Sequence, residues 1–358
     1  MPAYDAFLLL SLGGPEGPDD VMPFLENVTR GRGVPRERLA EVAEHYHAHG
    51  GVSPINSQSR DLLAAIGGAF ADAAIDLPLY WGNRNWHPFI TDTVRKLADD
   101  GAERVIAFVT SAYSVYSACR QYLDDIERAV AAVGPRAPRI DKIRPYFNHP
   151  GFIEPFAAGT EAALATLPAD VRDGTRLVFT AHSVPVGMAA ASGSAAAGTA
   201  RPAVPGGRYA AELSEAASLI TERIRGGSLG HDLVYQSRSG PPGRPWLEPD
   251  VCDHVRTLAK SGVPAVVAVP VGFVSDHMEV VHDLDVEAAH AAASLGLPFA
   301  RAAAPGPSPR FARMVAELVA ERLSGAAPLA LGAMGPAPWP CPADCCRYER
   351  PGRRTRPS

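Results

Sequence analysis

Short apolar runs rich in β-forming residues recur along this chain and alternate with stretches of helical periodicity, and that alternation narrows the fold more than any other feature. The runs are AFLLLSL from Ala6, LPLYWGN from Leu77, RVIAFVTS from Arg104, RLVFTAH from Arg176, DLVYQS from Asp232 and AVVAVPVGFV from Ala265. Helical patterns fall at Glu37 to His47, Ser57 to Ala74 and Tyr209 to Ile224, with a last one near Pro309 to Leu323. Apolar strands separated by helices suit a parallel sheet with helices on both faces, because such strands are buried on both sides. The expected fold class is therefore α/β. At 358 residues and 46% hydrophobic content, the chain exceeds the size at which a single core usually stops growing. Two smaller sheets are expected, with a seam at Asn148 to Phe152: an N-terminal lobe over 1–150, a C-terminal lobe over 151–326 and a Pro- and Gly-rich tail over 327–358. Ala189 to Gly207, made of small residues and Pro, reads as a flexible surface insertion.

The net charge of −5 argues against a nucleic-acid binder, which needs concentrated Lys and Arg. No apolar stretch reaches the ~20 residues that span a bilayer, and MPAYDAFLLLSLGG lacks the basic start of a signal peptide. A cytoplasmic protein is expected, with its five cysteines reduced, so that any group of them is a metal candidate before it is a disulfide framework.

Chemistry concentrates after the last apolar run. AVVAVPVGFV empties into SDHMEVVHDLDVE, which gathers His277, Glu279, His282, Asp283, Asp285 and Glu287 beyond the carboxyl end of a strand, where open α/β sheets bind ligands. Glu279, Asp283 and Glu287 recur every four residues, so on an α-helix they share one stripe. Three like charges there suit a divalent cation, although an ordinary solvated helix face gives the same spacing. RLVFTAHSVP ends on His182, able to accept a proton or ligate a metal, or simply to fix a turn. RGRG at Arg30 and GGVSPIN at Gly50 supply cations, a hydroxyl and tight turns suited to substrate carboxylates. LGGPEGP lacks both the GxGxxG spacing and the Walker lysine, so nucleotide binding is poorly supported. In the tail, WPCPADCC sets Cys341, Cys345 and Cys346 within six residues. With Cys119 or Cys252 as a fourth thiolate, the set would serve zinc or an iron–sulfur centre equally well.

Six motifs in order, LSLGGPEGP, GGVSPIN, YWGNRNWHPF, FTAHSVP, YQSRSGPPGRPWLEPDV and GFVSDHMEVVHDLDVE, resemble the ferrochelatases, which insert Fe2+ into a porphyrin. The resemblance implies two Rossmann-like lobes with the porphyrin in a cleft between them and no nucleotide. His182 and Glu279 match the family's metal-site pair, and Asp283 and Glu287 its acidic path. Ser53 and Tyr122 match binding positions, with Arg30 and Tyr46 as further candidate substrate contacts. The tail is similar to the actinobacterial branch, implying a [2Fe–2S] cluster on Cys119, Cys341, Cys345 and Cys346, and coproporphyrin III as the substrate that takes up Fe2+. The same resemblance implies a monomer, with the next enzyme of haem synthesis as a further partner. Leu12 stands where some relatives have an axial Tyr, so no axial ligand carries over, and the family's GDPYP-like turn is replaced by the small-residue insertion. The rival readings are a protoporphyrin IX ferrochelatase, a non-catalytic haem or iron carrier, and a cobalt chelatase for corrin precursors, which would not explain SPIN and RNW.

Overall fold

In the computed structural model, which describes residues 4–31, 33–193, 205–238 and 243–348, eight strands form two parallel sheets of four. The first contains β1 (Ala6–Ser11), β2 (Leu79–Asn83), β3 (Arg104–Val109) and β4 (Arg139–Lys142), in the order β2-β1-β3-β4. The second contains β5 (Arg176–His182), β6 (His231–Gln236), β7 (Val266–Val269) and β8 (Phe299–Arg301), in the order β6-β5-β7-β8. The two arrangements are the same once the strands are renumbered. The α/β expectation holds, and six of the eight strands sit in the six apolar runs. The other two, RIDK and FAR, are short edge strands, and an edge strand has no need of a continuous apolar sequence.

Helices cross between successive strands and bury one stripe each. Leu62, Ile66 and Phe70 of helix Ile55–Asp72 are buried, at the i, i+4 spacing that packs a helix onto a sheet. Helix ends follow local chemistry: the Asp250 side chain accepts from the Cys252 and Asp253 amides, and Ser308 accepts from Phe311 N with Pro309 in the first turn, the expected capping arrangement. Helix Pro309–Leu323 comes from the C-terminal half yet packs against helix Ile55–Asp72 of the first lobe as well as Pro150–Thr166, and its Phe311 ring meets Phe108 of β3 at 6.1 Å. Phe7, Phe108 and Phe179 are fully buried in one hydrophobic cluster that spans both sheets. Each such ring contributes roughly 2–3 kcal/mol of burial, which holds the lobes in a fixed relation.

The seam and the tail are packed. Asn148 and His149 are fully buried, and the Asn148 amide donates to the carbonyls of Leu331 and Gly335 at 3.0 and 2.8 Å. Trp339 Nε1 donates to Lys142 O at 2.8 Å. Of the small-residue insertion, 194–204 lies outside the described residues; Ala189, Ser192 and Gly207 at its two ends are buried, so the ends belong to the packed body and not to a surface loop.

Candidate functional site

The carboxyl ends of β5 and β7 meet at the site. His182 is the last residue of β5, in register with Gln236 of β6. After β7, Gly272 donates to Thr180 O at 3.0 Å. A Cβ there would come within 2.6 Å of the Ala181 Cβ, so only glycine lets this segment cross β5 one residue before His182. His182 Nδ1 lies 2.5 Å from Ser183 O. In the neutral ring the nitrogen facing a carbonyl carries the proton and Nε2 is bare; Nε2 is 3.7 Å from Glu279 Oε2. The His182 carbonyl accepts from the Tyr209 hydroxyl at 3.0 Å. The loop after β6 zips onto the loop after β5: Leu247 N donates to Val184 O, and Ser183 Oγ to Leu247 O. Residues 239–242 of that loop fall outside the described residues.

Glu279 also lies 3.9 Å from His277 Nδ1, and burial pushes the His277 imidazole below its ordinary range. Sequence reasoning placed Glu279, Asp283 and Glu287 on an α-helical stripe. The chain instead makes a single α-turn at Met278–Val280 and then winds as a π-helix over Val281–Ala288, a geometry frequent at functional sites. The stripe survives electrostatically: burial first, then the charges of Glu279 and Glu287, raise Asp283 to about 7. Ser237 Oγ donates to Asp283 Oδ2, and Gln236 Nε2 donates to the same oxygen at 3.3 Å; both oppose that rise. Asp283 therefore titrates near neutrality beside a histidine–carboxylate pair, as suits proton transfer.

The first lobe supplies the facing wall. Tyr46 shares a buried cluster with Met278, the neighbour of Glu279, and burial, then the charge of Glu279, raises its phenol. Ser53 is buried under the glycine turn, where a Cβ at Gly14 would lie 2.7 Å from its own. Arg30 is exposed past helix Pro18–Val28. Tyr122 is buried in the first lobe's core with the Arg84 guanidinium stacked on its ring at 4.4 Å. Sequence reading did not single out Gln236, Ser237 or Tyr209. Ser237, at φ +59 at the close of DLVYQS, is the one with a local signature, and that signature shows only in the backbone.

The cysteines form a second centre. Cys119 lies in a π-helical turn, Tyr116–Arg120, and is 3% exposed. The interaction with Cys341, then burial, holds the Cys119 thiol well above its ordinary range, and Cys345 Sγ is 3.6 Å from Cys346 Sγ. Cys346 N donates to Gly193 O at 3.0 Å, and Gly193 N to Cys346 Sγ at 3.3 Å. Cys252 stands apart on helix Val251–Lys260. Among the described residues no three His, Cys, Asp or Glu side chains converge as a ready metal site. The donor set nonetheless fits an iron–sulfur centre in kind: four sulfurs, those of Cys119, Cys345 and Cys346 buried and that of Cys341 partly so.

A family model described as ferrochelatase matches residues 4–323. The coproporphyrin III ferrochelatase of Nocardia farcinica is 56% identical over 97% of this chain and 98% of its own length. That of Streptomyces griseus is 53% identical over 97% and 94%. Among solved structures, SirB from Bacillus subtilis with Fe3+ aligns with a TM-score of 0.53 at 12% identity, covering 90% of this chain and 97% of that one, which bears on the fold alone.

Proposed function

The chain belongs to the ferrochelatase family, and on that premise we propose that it inserts Fe2+ into coproporphyrin III to give coprohaem. The observation that carries the mechanism is His182 Nε2 lying 3.7 Å from Glu279 Oε2. Pyrrole N–H groups point into a planar ring, so insertion requires the ring to bend and two protons to leave as Fe2+ enters. Binding energy at the ring's periphery supplies the bend, from Arg30, Tyr46, Ser53 and Tyr122. His182 Nε2 accepts the two pyrrole protons in succession, the first being relayed outward before the second is taken. Glu279 holds Fe2+ against the open face, and Asp283, poised near neutrality, passes protons outward to Glu287.

Cys119, Cys341, Cys345 and Cys346 would hold a [2Fe–2S] cluster, and Arg120, which donates to Ala343 O at 3.1 Å, helps fix the tail beside Cys119. When bound, the cluster supplies a redox-sensitive cross-link between the first lobe and the tail. The division into 1–150, 151–326 and 327–358, a monomeric state, a cytoplasmic location and hand-over to the next enzyme of haem synthesis belong to the same reading. Among the described residues no helix is long and apolar enough to cross a membrane.

The test is metal insertion followed by porphyrin fluorescence, with Fe2+ and either coproporphyrin III or protoporphyrin IX. Preferred quenching of coproporphyrin III is expected. Preference for protoporphyrin IX would overturn the substrate assignment, and tight haem binding with no metallation would overturn the activity.

A further inference from the structure

The carboxylates that follow β7 are of two kinds. Among the described residues, Glu279 and Glu287 find only histidines as ion-pair partners, whereas Asp276 and Asp285 share one permanent cation, Arg301. Its guanidinium acts as a double fork. Nη1 and Nη2 donate to Asp276 Oδ1 and Oδ2 at 3.0 and 3.4 Å, and Nε and Nη2 donate to Asp285 Oδ1 and Oδ2 at 2.6 and 3.0 Å. A lysine ammonium, a single point charge, cannot span both carboxylates in this way. Asp285, which the spacing groups with the acids of the site, is thereby committed to Arg301.

Arg301 closes β8, in register with Ala268 of β7, on the edge of the sheet opposite β6. The segment carrying Glu279 and Asp283 is therefore held from both edges. From the end of β6, Gln236 donates to Glu279 O and to Asp283, and Ser237 donates to Asp283; from the end of β8, Arg301 holds Asp276 and Asp285. Asp276 N also donates to Gln58 Oε1 of the first lobe at 2.9 Å. Exposed ion pairs contribute little, but the Arg301 side chain is only 17% exposed. It ties a residue ahead of the α-turn to one inside the π-helix, a rare winding that outside contacts must hold.

We propose that Arg301 is a positioning residue for iron insertion. By joining Asp276 to Asp285 it fixes the winding of the segment between them, and so the setting of Glu279 against His182 and of Asp283 against Gln236. It touches neither porphyrin nor metal. The role in insertion rests on the chelatase reading, whereas the clamp itself does not.

The test compares, in the full chain, Arg301→Gln, which loses fork and charge, with Arg301→Lys, which keeps the charge alone. Both should lower kcat about 10- to 100-fold, with the KM for coproporphyrin III unchanged. Followed by mass spectrometry, amide hydrogen exchange across 279–288 should quicken about 10-fold or more in both, while helix Val251–Lys260 keeps its rate. Because Arg301 acts through Asp285, the Arg301→Gln/Asp285→Asn double variant should lose no more kcat than Arg301→Gln. If Arg301→Gln does not fold, Asp285→Asn, which leaves the guanidinium on Asp276, carries the same expectation. Wild-type kcat in Arg301→Lys would overturn the role of the fork. A fall in kcat without faster exchange in the turn, or faster exchange with wild-type kcat, would overturn the positioning role. Faster exchange in the variants of a chain that metallates neither porphyrin would sink the chelatase reading and leave the clamp standing.

Discussion

The two sheets repeat one plan, and the same position does different work in each. Ser11 closes β1 in register with Asn83 of β2, as His182 closes β5 in register with Gln236 of β6. In the first lobe that corner is sealed: Ser11 is 1% exposed and accepts from Ser59 Oγ at 3.1 Å, and Asn56 clasps Gly14 through two hydrogen bonds. In the second lobe the corner is open, and the side chain of His182 is 34% exposed beside Glu279. The segments after the third strand of each sheet also correspond, and both contain a π-helical turn. One buries Cys119; the other aligns Asp283 and Glu287. Shared topology therefore sets where chemistry can be placed, and the side chains decide which chemistry it is.

The contrast breaks most sharply at His182. His182→Ala should lower kcat for iron insertion by about 10²–10⁴-fold while coproporphyrin III still binds, as fluorescence titration would show; near-wild-type turnover would remove the second lobe's claim to the chemistry. Glu279→Gln keeps the shape and removes the charge, and should cost on the order of 100-fold in kcat with the melting temperature held. Loss of fold without a specific kinetic defect would make the carboxylate structural.

The first lobe's π-turn is tested by colour. Anaerobically purified protein should carry about two non-substrate irons and two acid-labile sulfides per chain. Cys119→Ser should abolish both and Cys252→Ser should spare them. Zinc without sulfide would refute the cluster.

Asp283 sharpens the comparison by pH. Its folded value of about 7 lies above the ordinary carboxylate value near 4, so between these limits the folded state holds more protons than the unfolded one. Its contribution to stability is fully present below about pH 4 and falls away as pH rises through 7. Asp283→Asn should therefore raise the melting temperature by about 2 °C at pH 8 and change it little at pH 4, measured by calorimetry; an equal shift at both would remove the titration from the account. The smallest expected effect belongs to Arg30→Ala. An exposed cation pairing with a propionate should raise the KM for coproporphyrin III about 2- to 5-fold and leave kcat unchanged.

Where one stretch of chain supplied both the pattern and the residue, the reading held. The six apolar runs became strands because both faces of each are buried, and Pro309–Leu323 became a helix with its cap and its apolar stripe in place. β4 and β8 were not legible because they are only four and three residues long and largely half-exposed, so neither carries a continuous apolar signal, whereas the other edge strands, β2 and β6, do. The Pro- and Gly-rich tail is tied down by Asn148, Lys142 and Glu215, partners 118 or more residues distant in the chain, which composition cannot register. The acidic stripe was legible in its spacing but not in its winding, since a π-turn depends on what the helix packs against.

Sequence alone determined the α/β class, the order of the motifs and the kinds of side chain available: an imidazole at one strand end, carboxylates after another, thiols in the tail. Those follow from local periodicity and residue chemistry, which each segment carries with it. Only the tertiary structure decided which of these groups meet. It brought Cys119 and not Cys252 to the tail, set His182 against Glu279, and stacked His45 on His282 across the lobes. Such pairings arise from the packing of elements far apart in the chain, where burial and shape, not sequence spacing, select the neighbours.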